Sequence, residues 1–236
     1  MNRKRATVTA GCLVLLALFV GGAVWSLTYE PTFYESALAE SASLDVRREH
    51  ADVFVRTTVR LIDEIRNDDS WSQEYSEETV NGWLAEELPA KYGDLLPPEV
   101  SAPRVKFEDG NLLLAFQIRH GMWTGVVSGK IHPWVAGPNQ LALEIHSVRI
   151  GLIPIPVDEI LDDFVKQMNS AGWQMRWKNS GKQDVLVVDF DGDPTLERSS
   201  ERAVLEAVDL ESKRLRVSGR RLTDTADHPR IADKPQ

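Results

Sequence analysis

The sequence predicts an α+β protein with an N-terminal transmembrane helix, then a curved antiparallel sheet of about eight strands packed with two to three amphipathic helices. Three observations carry that expectation. An uncharged run follows a basic tip near the N-terminus. Apolar residues then recur at helical spacing as far as Leu88, and from Arg104 the apolar period changes to two. Apolar residues make up 42% and charged residues 27% of 236 positions. Such usage belongs to a folded globular chain and excludes collagen-like, coiled-coil and wholly disordered classes.

Arg3, Lys4 and Arg5 precede a stretch from Ala6 to Tyr29 with no charged residue. As a helix that stretch reaches about 36 Å, against a hydrocarbon core of about 30 Å. Trp25 and Tyr29 fall at its far end, where aromatic rings favour the headgroup level, and the basic tip favours the cytoplasm. The expected organisation is a cytoplasmic tip over 1–5, a span over 6–29 and a main domain that is periplasmic or extracellular. A signal peptide cut ahead of Val24, after Gly21 and Ala23, is the competing reading. A lipoprotein signal does not fit, because the apolar run Leu13–Val20 follows Cys12 instead of preceding it. Cys12 is the only cysteine, so an intramolecular disulfide and Cys-based metal sites are excluded. It reads as a small apolar residue within the span.

Beyond the span the charge is uneven. Between Glu30 and Glu99 there are 17 acids and 6 bases, whereas from Val100 onward the two nearly balance. A net charge of −9 also argues against a nucleic-acid partner. The acidic part, 30–103, reads as a helical region ending in a Pro-rich loop. Leu44–Asn67 presents Leu44, Ala51, Val55, Thr58, Ile62 and Ile65 on one stripe. A second helix starts with Ser76 as N-cap and Glu77 and Glu78 in its first turn, turns Val80, Trp83, Leu84 and Leu88 inward, and is expected to end at Pro89.

The sheet region is 104–222. Val105 and Phe107 lead through an Asp109–Gly110–Asn111 turn into a strand with Leu112, Leu114, Phe116 and Ile118 on one face. Trp123, Val127 and Ile131 mark the next strand. On the strand after it, Leu141, Leu143 and Ile145 are in phase while Val148 and Ile150 are out of phase, which places a bulge near His146 and Ser147. Pro156 opens a helix with Val157, Ile160, Leu161, Phe164 and Met168 on one stripe, closed by Gly172. Two hairpins follow, Trp173–Lys178 with Asp184–Phe190 and Ala203–Leu210 with Arg214–Arg221. The last one echoes an earlier one: Val208, Leu210, Glu211, Leu215 and Val217 match Val105, Phe107, Glu108, Leu112 and Leu114 at a constant offset of 103. Residues 223–236 are polar without period and read as a tail.

Catalytic patterns are missing from the sequence: there is no nucleophile elbow, phosphate-cradling loop or His-Glu-x-x-His. The reading is therefore of a non-enzyme with no cofactor. A turn centred near residue 136 would leave His146 roughly three residue pairs from His132, so His120, His132 and His146 do not suggest a three-His metal site. Asp189, Asp191 and Asp193 lack the glycine and closing glutamate positions of an EF-hand loop. No metal site is assigned. Lys213, Arg214, Arg216, Arg220 and Arg221 read as the wet face of an edge strand. What remains is apolar surface, an expected groove lined by Leu112, Leu114, Phe116, Ile145, Ile160 and Phe164 and suited to a lipid or acyl chain.

Three places carry a family resemblance: the helix Ser76–Leu88, with Asn81 followed by Trp83 and Leu84; the strand Leu141–Ile150; and the junction Gly151–Pro156 into the next helix. They resemble the YpmS-type family of small membrane-anchored extracytoplasmic proteins and, more distantly, the tubular lipid-binding modules. The resemblance covers roughly Glu74 to Phe190. It implies a long curved sheet wrapped round helices, a role at the cell envelope and lipid binding. The acidic helix Leu44–Asn67 and the tail beyond Leu222 are not required by that pattern. The alternative function is a membrane-tethered docking or assembly module with a filled core, which would meet an envelope protein partner through its acidic helices or basic last hairpin.

Overall fold

The computed structural model describes residues 26–40, 43–121, 123–156, 158–170, 172–179, 184–190, 197–198 and 201–223. It is an α+β fold in which two antiparallel sheets meet, with helices along both edges of the larger one. The anchor residues Arg3, Lys4, Arg5 and Trp25 lie outside the described residues, as do 224–236. Tyr29, at the end of the expected span, is described and 36% exposed. Among the described residues no helix is long and apolar enough to cross a membrane.

Four helices are described where two to three were expected: α1 (Thr32–Glu40), α2 (Leu44–Asn67), α3 (Glu77–Tyr92) and α4 (Asp158–Ser170). The stripe on α2 turns Ala51 and Ile65 into the protein. Ser76 caps α3 as its sequence predicts, accepting a hydrogen bond from the Thr79 amide at 3.2 Å. Pro89 does not end α3, which continues to Tyr92 and a 3-10 turn over Gly93–Leu95. One proline removes one amide donor, and the helix tolerates that loss near its end. Helices α2 and α3 cross at Gly82, where a methyl group would sit 2.8 Å from the Ala51 amide nitrogen and 2.9 Å from the Arg47 carbonyl oxygen.

Eleven strands are described instead of about eight, and they form two sheets. The larger has the order β2 (Val100–Glu108), β3 (Asn111–His120), β4 (Trp123–Gly137), β5 (Gln140–Ile150), β8 (Asp184–Asp189), β7 (Gln174–Asn179). The short β6 (Ile153–Pro154) doubles back on the end of β5. The smaller sheet has the order β1 (Ser70–Ser76), β11 (Arg214–Thr223), β10 (Glu201–Glu211), β9 (Glu197–Arg198). Strand β2 begins at Val100, ahead of the expected boundary at 104. Strand β1 was not expected. It buries Trp71 and Tyr75 and covers β11, so the basic strand is interior to its sheet and not an edge.

The predicted bulge is present: Lys130 pairs with Ser147 and Ile131 with Ile145, leaving His146 as the extra residue. The β4–β5 turn falls at Pro138–Asn139, later than expected, so His132 pairs with Glu144.

The two hairpins that echo each other in sequence meet turn to turn. The Gly110 amide donates to the Leu210 carbonyl at 2.9 Å, and the Lys213 amide donates to the Phe107 carbonyl at 3.3 Å. These bonds are reciprocal under the same offset. Gly110 (φ +70°) and Lys213 (φ +65°) occupy equivalent left-handed positions. Behind the turns Val105, Phe107 and Leu210 form a buried cluster with Leu112, Leu114, Val80, Leu84 and Leu215 against it. A second cluster joins Ile65, Trp71, Ala203 and Leu205, and a third places Tyr34 of α1 on Ala115 and Val126 of the opposite sheet face.

Candidate functional site: a cleft beside the first sheet edge

Strand β2 is an edge of the large sheet, and its outward amides and carbonyls need partners in a dry environment. Helix α3 supplies them. Asn81 accepts from the Val105 amide at 2.8 Å and donates to the Val105 carbonyl at 2.9 Å. One turn earlier, Glu77 accepts from the Phe107 amide at 2.6 Å. Burial pushes the Glu77 carboxyl above its ordinary range, opposed by that amide bond.

Toward its N-terminal end β2 leaves the helix. A bulge between Ser101 and Arg104 breaks the register with β3 and puts Ala102 at φ +49°. This conformation is costly for a residue with a Cβ, and the Tyr34 hydroxyl secures it by donating to the Ala102 carbonyl at 2.8 Å. Tyr34 is fully buried, and burial pushes its hydroxyl up to about 12. The bulge, α3 and the Pro-rich loop enclose a half-open cleft of about 320 Å³. Leu84, Ala85, Pro89, Leu96, Val100, Ala102 and Pro103 give it apolar walls.

Three charged side chains enter the same lining: Arg47, Glu86 and Arg104. Arg47 Nε lies 2.6 Å from Glu86 Oε1, and Arg48 Nε lies 4.0 Å from Glu86 Oε2. Arg104 is 6% exposed and donates to the Pro103 carbonyl at 2.7 Å. Burial lowers its guanidinium, though a group that starts so basic stays charged at neutral pH. Cations outnumber the carboxylate here in a chain that is acidic overall. Apolar walls with two guanidinium groups in the lining match a ligand with a hydrocarbon body and an anionic group.

None of the six residues of the expected groove lines this cleft. Leu112 and Leu114 are packed against Val105 and Phe107. Phe116 and Ile145 are half-buried, the former on β3 opposite Val127 and the latter on β5 opposite Ile131. Phe164 on α4 is 42% exposed. Ile160 falls on α4, and its side chain lies outside what the structure describes.

The histidines are rearranged relative to expectation. With His132 opposite Glu144, the His132 and His146 rings come to 6.4 Å, and His146 Nδ1 lies 3.7 Å from Glu144 Oε1. His132 Nδ1 is hydrogen-bonded to the Gly110 carbonyl and its ring stacks on Trp134. His120 is at the other end of β3. Among the described residues no group of three His, Cys, Asp or Glu side chains could hold a metal ion. Asp189 accepts from Gln140 at 3.0 Å, while Asp191 and Asp193 lie outside the described residues.

The basic last hairpin faces carboxylates of its own chain: Arg216 lies 3.2 Å from Glu74, Arg214 3.0 Å from Glu211 and Arg220 2.6 Å from Glu206. Comparison with family models, curated proteins and solved structures returns no match.

Proposed function

We propose that this chain is a non-enzymatic, single-pass envelope protein whose main domain, outside the cytoplasm, holds a lipid or other apolar ligand bearing an anionic group. Residues 6–29 form the span in this reading, with Arg3, Lys4 and Arg5 on the cytoplasmic side. The observation that carries the ligand reading is the apolar cleft with Arg47 and Arg104 in its lining, next to the strained Ala102. Backbone strain of this kind clusters at ligand-binding places. The likeness to the YpmS-type and tubular lipid-binding families points the same way. The docking alternative would use the cations of β11, which face Glu74, Glu206 and Glu211 of the same chain, or the acidic helices.

A photoactivatable fatty acid offered to the full chain in lipid nanodiscs tests this. Crosslinks are expected within Leu84–Pro89 and Val100–Arg104, and Ala85→Trp, which fills the cleft, should abolish them. Crosslinks confined to the N-terminal span, in a domain that melts cooperatively, would overturn the proposal.

A further inference from the structure

The chain leaving the predicted span is stitched to one end of the large sheet. The Leu152 amide donates to the Ser26 carbonyl at 2.9 Å, and the Gly151 amide donates to the Val126 carbonyl at 2.9 Å. Gly151 has φ +59°, and a methyl there would collide with the Ser26 and Leu27 carbonyls, so only glycine lets the two segments touch. A methyl group added at the neighbouring Gly125 would sit 3.3 Å from the Leu27 carbonyl oxygen.

At that end a short hairpin projects. Ile150 pairs with Ile153 and Arg149 with Pro154, and the Ile155 amide donates to the Val148 carbonyl at 3.0 Å. Backbone pairing therefore holds Leu152 and Ile153 in place while their side chains are 39% and 38% exposed. Pro154 is exposed beside them, as are Arg149 and, at the end of β3, Arg119. A rigid apolar tip flanked by cations has the make-up of an interfacial membrane contact.

We infer that the Gly151–Pro156 hairpin seats Leu152 and Ile153 in the interface of a phospholipid bilayer, the same bilayer that the N-terminal segment crosses. The occupant follows from position: the uncharged run Ala6–Tyr29 ends on the residues bonded to this hairpin. The consequence is a fixed posture. Gly151 bonds to Val126, which pairs with Gln117 on β3, so with β3 standing along the membrane normal the turns at Asp109–Gly110 and Ser212–Lys213, seven residues on, are about 24 Å farther from the membrane.

This inference rests on the span proposed above, and its test separates the two. In the full chain carrying Cys12→Ser, a fluorophore is attached through Ile153→Cys or, as the distal control, through Ser212→Cys. Each protein is reconstituted into phosphatidylcholine vesicles containing nitroxide-labelled lipid, with flotation run in parallel. Both proteins should float, and quenching should be severalfold stronger at 153 than at 212. Equal quenching at the two positions in a floating protein overturns the seated hairpin and leaves the span standing. A chain that does not float overturns the span and, with it, this inference.

Discussion

The two edge strands of the large sheet, β2 and β7, are closed by the same device in different surroundings. Asn81 on α3 makes a donor and acceptor pair with the Val105 backbone. Asn169 on α4 does the same with Met175, at 3.0 and 2.7 Å. Asn81 is 6% exposed and its bonds to β2 are buried, whereas the Asn169 pair is open to water. The bond geometry is nearly equal; the alternative open to the backbone when the bond is lost is not. Water can replace Asn169, but nothing can replace Asn81 without moving a helix. The two edges thus divide the labour: one is sealed to hold the fold, and the other stays loosely covered, with Phe164 exposed on the helix beside it.

That contrast can be broken by substitution. Asn81→Ala should cost about 3 kcal/mol, because it strands a buried amide and a buried carbonyl. Differential scanning fluorimetry should record this as a Tm lowered by about 6–12 °C. Gly82→Ala, on the same helix, should cost about 2 kcal/mol by forcing α3 from α2, since the atoms it meets include backbone that cannot swing aside. Asn169→Ala should cost only about 0.5 kcal/mol, and an effect equal to that of Asn81→Ala would refute the division between the edges.

The smallest effect concerns pH. Burial raises the Glu77 carboxyl in the folded state, so the fold holds that proton more tightly than the unfolded chain does. Its contribution is fully present below the unfolded carboxyl range and is lost as pH rises through the folded one. Glu77→Gln keeps an acceptor for Phe107 and cannot ionise. Its stability relative to the parent should therefore improve as pH rises from about 4 to 7, read from paired urea titrations.

Legibility followed the range of the interaction. Leu44–Asn67 was readable to the residue because its stripe is internal to the helix, and the Ser76 cap depends only on Thr79 three positions on. The bulge at His146 showed as a phase shift along one strand. Strand β1 left no such mark. Trp71 and Tyr75 are four apart, a spacing that suits a helix face as well as a strand face, and their partner strand lies some 140 residues later. Helix α1 is short and buries only Tyr34 and Ala37, too few points to define a period. The cleft depends on Arg47, Glu86 and Arg104 converging from two helices and a strand, which no local pattern encodes. The only hint was the stretch Pro89–Pro103, with Gly93 and the pair Pro97 and Pro98, which read as a loop leading into the sheet.

The pairing of β1 with β11 also bears on the timing of folding. Ser70–Ser76 bonds to Arg214–Arg220, the Glu77 amide bonds to the Lys213 carbonyl, and the turn-to-turn lock closes on the same segment. A chain delivered N-terminus first, from a ribosome or through a translocation pore, presents Trp71 and Tyr75 long before the strand that covers them arrives. Contacts of such sequence separation are slow to close and leave apolar side chains uncovered while they wait. The early segment carries a surplus of acidic residues, and like charge of that kind favours solubility while the segment waits for the final hairpin that completes the smaller sheet.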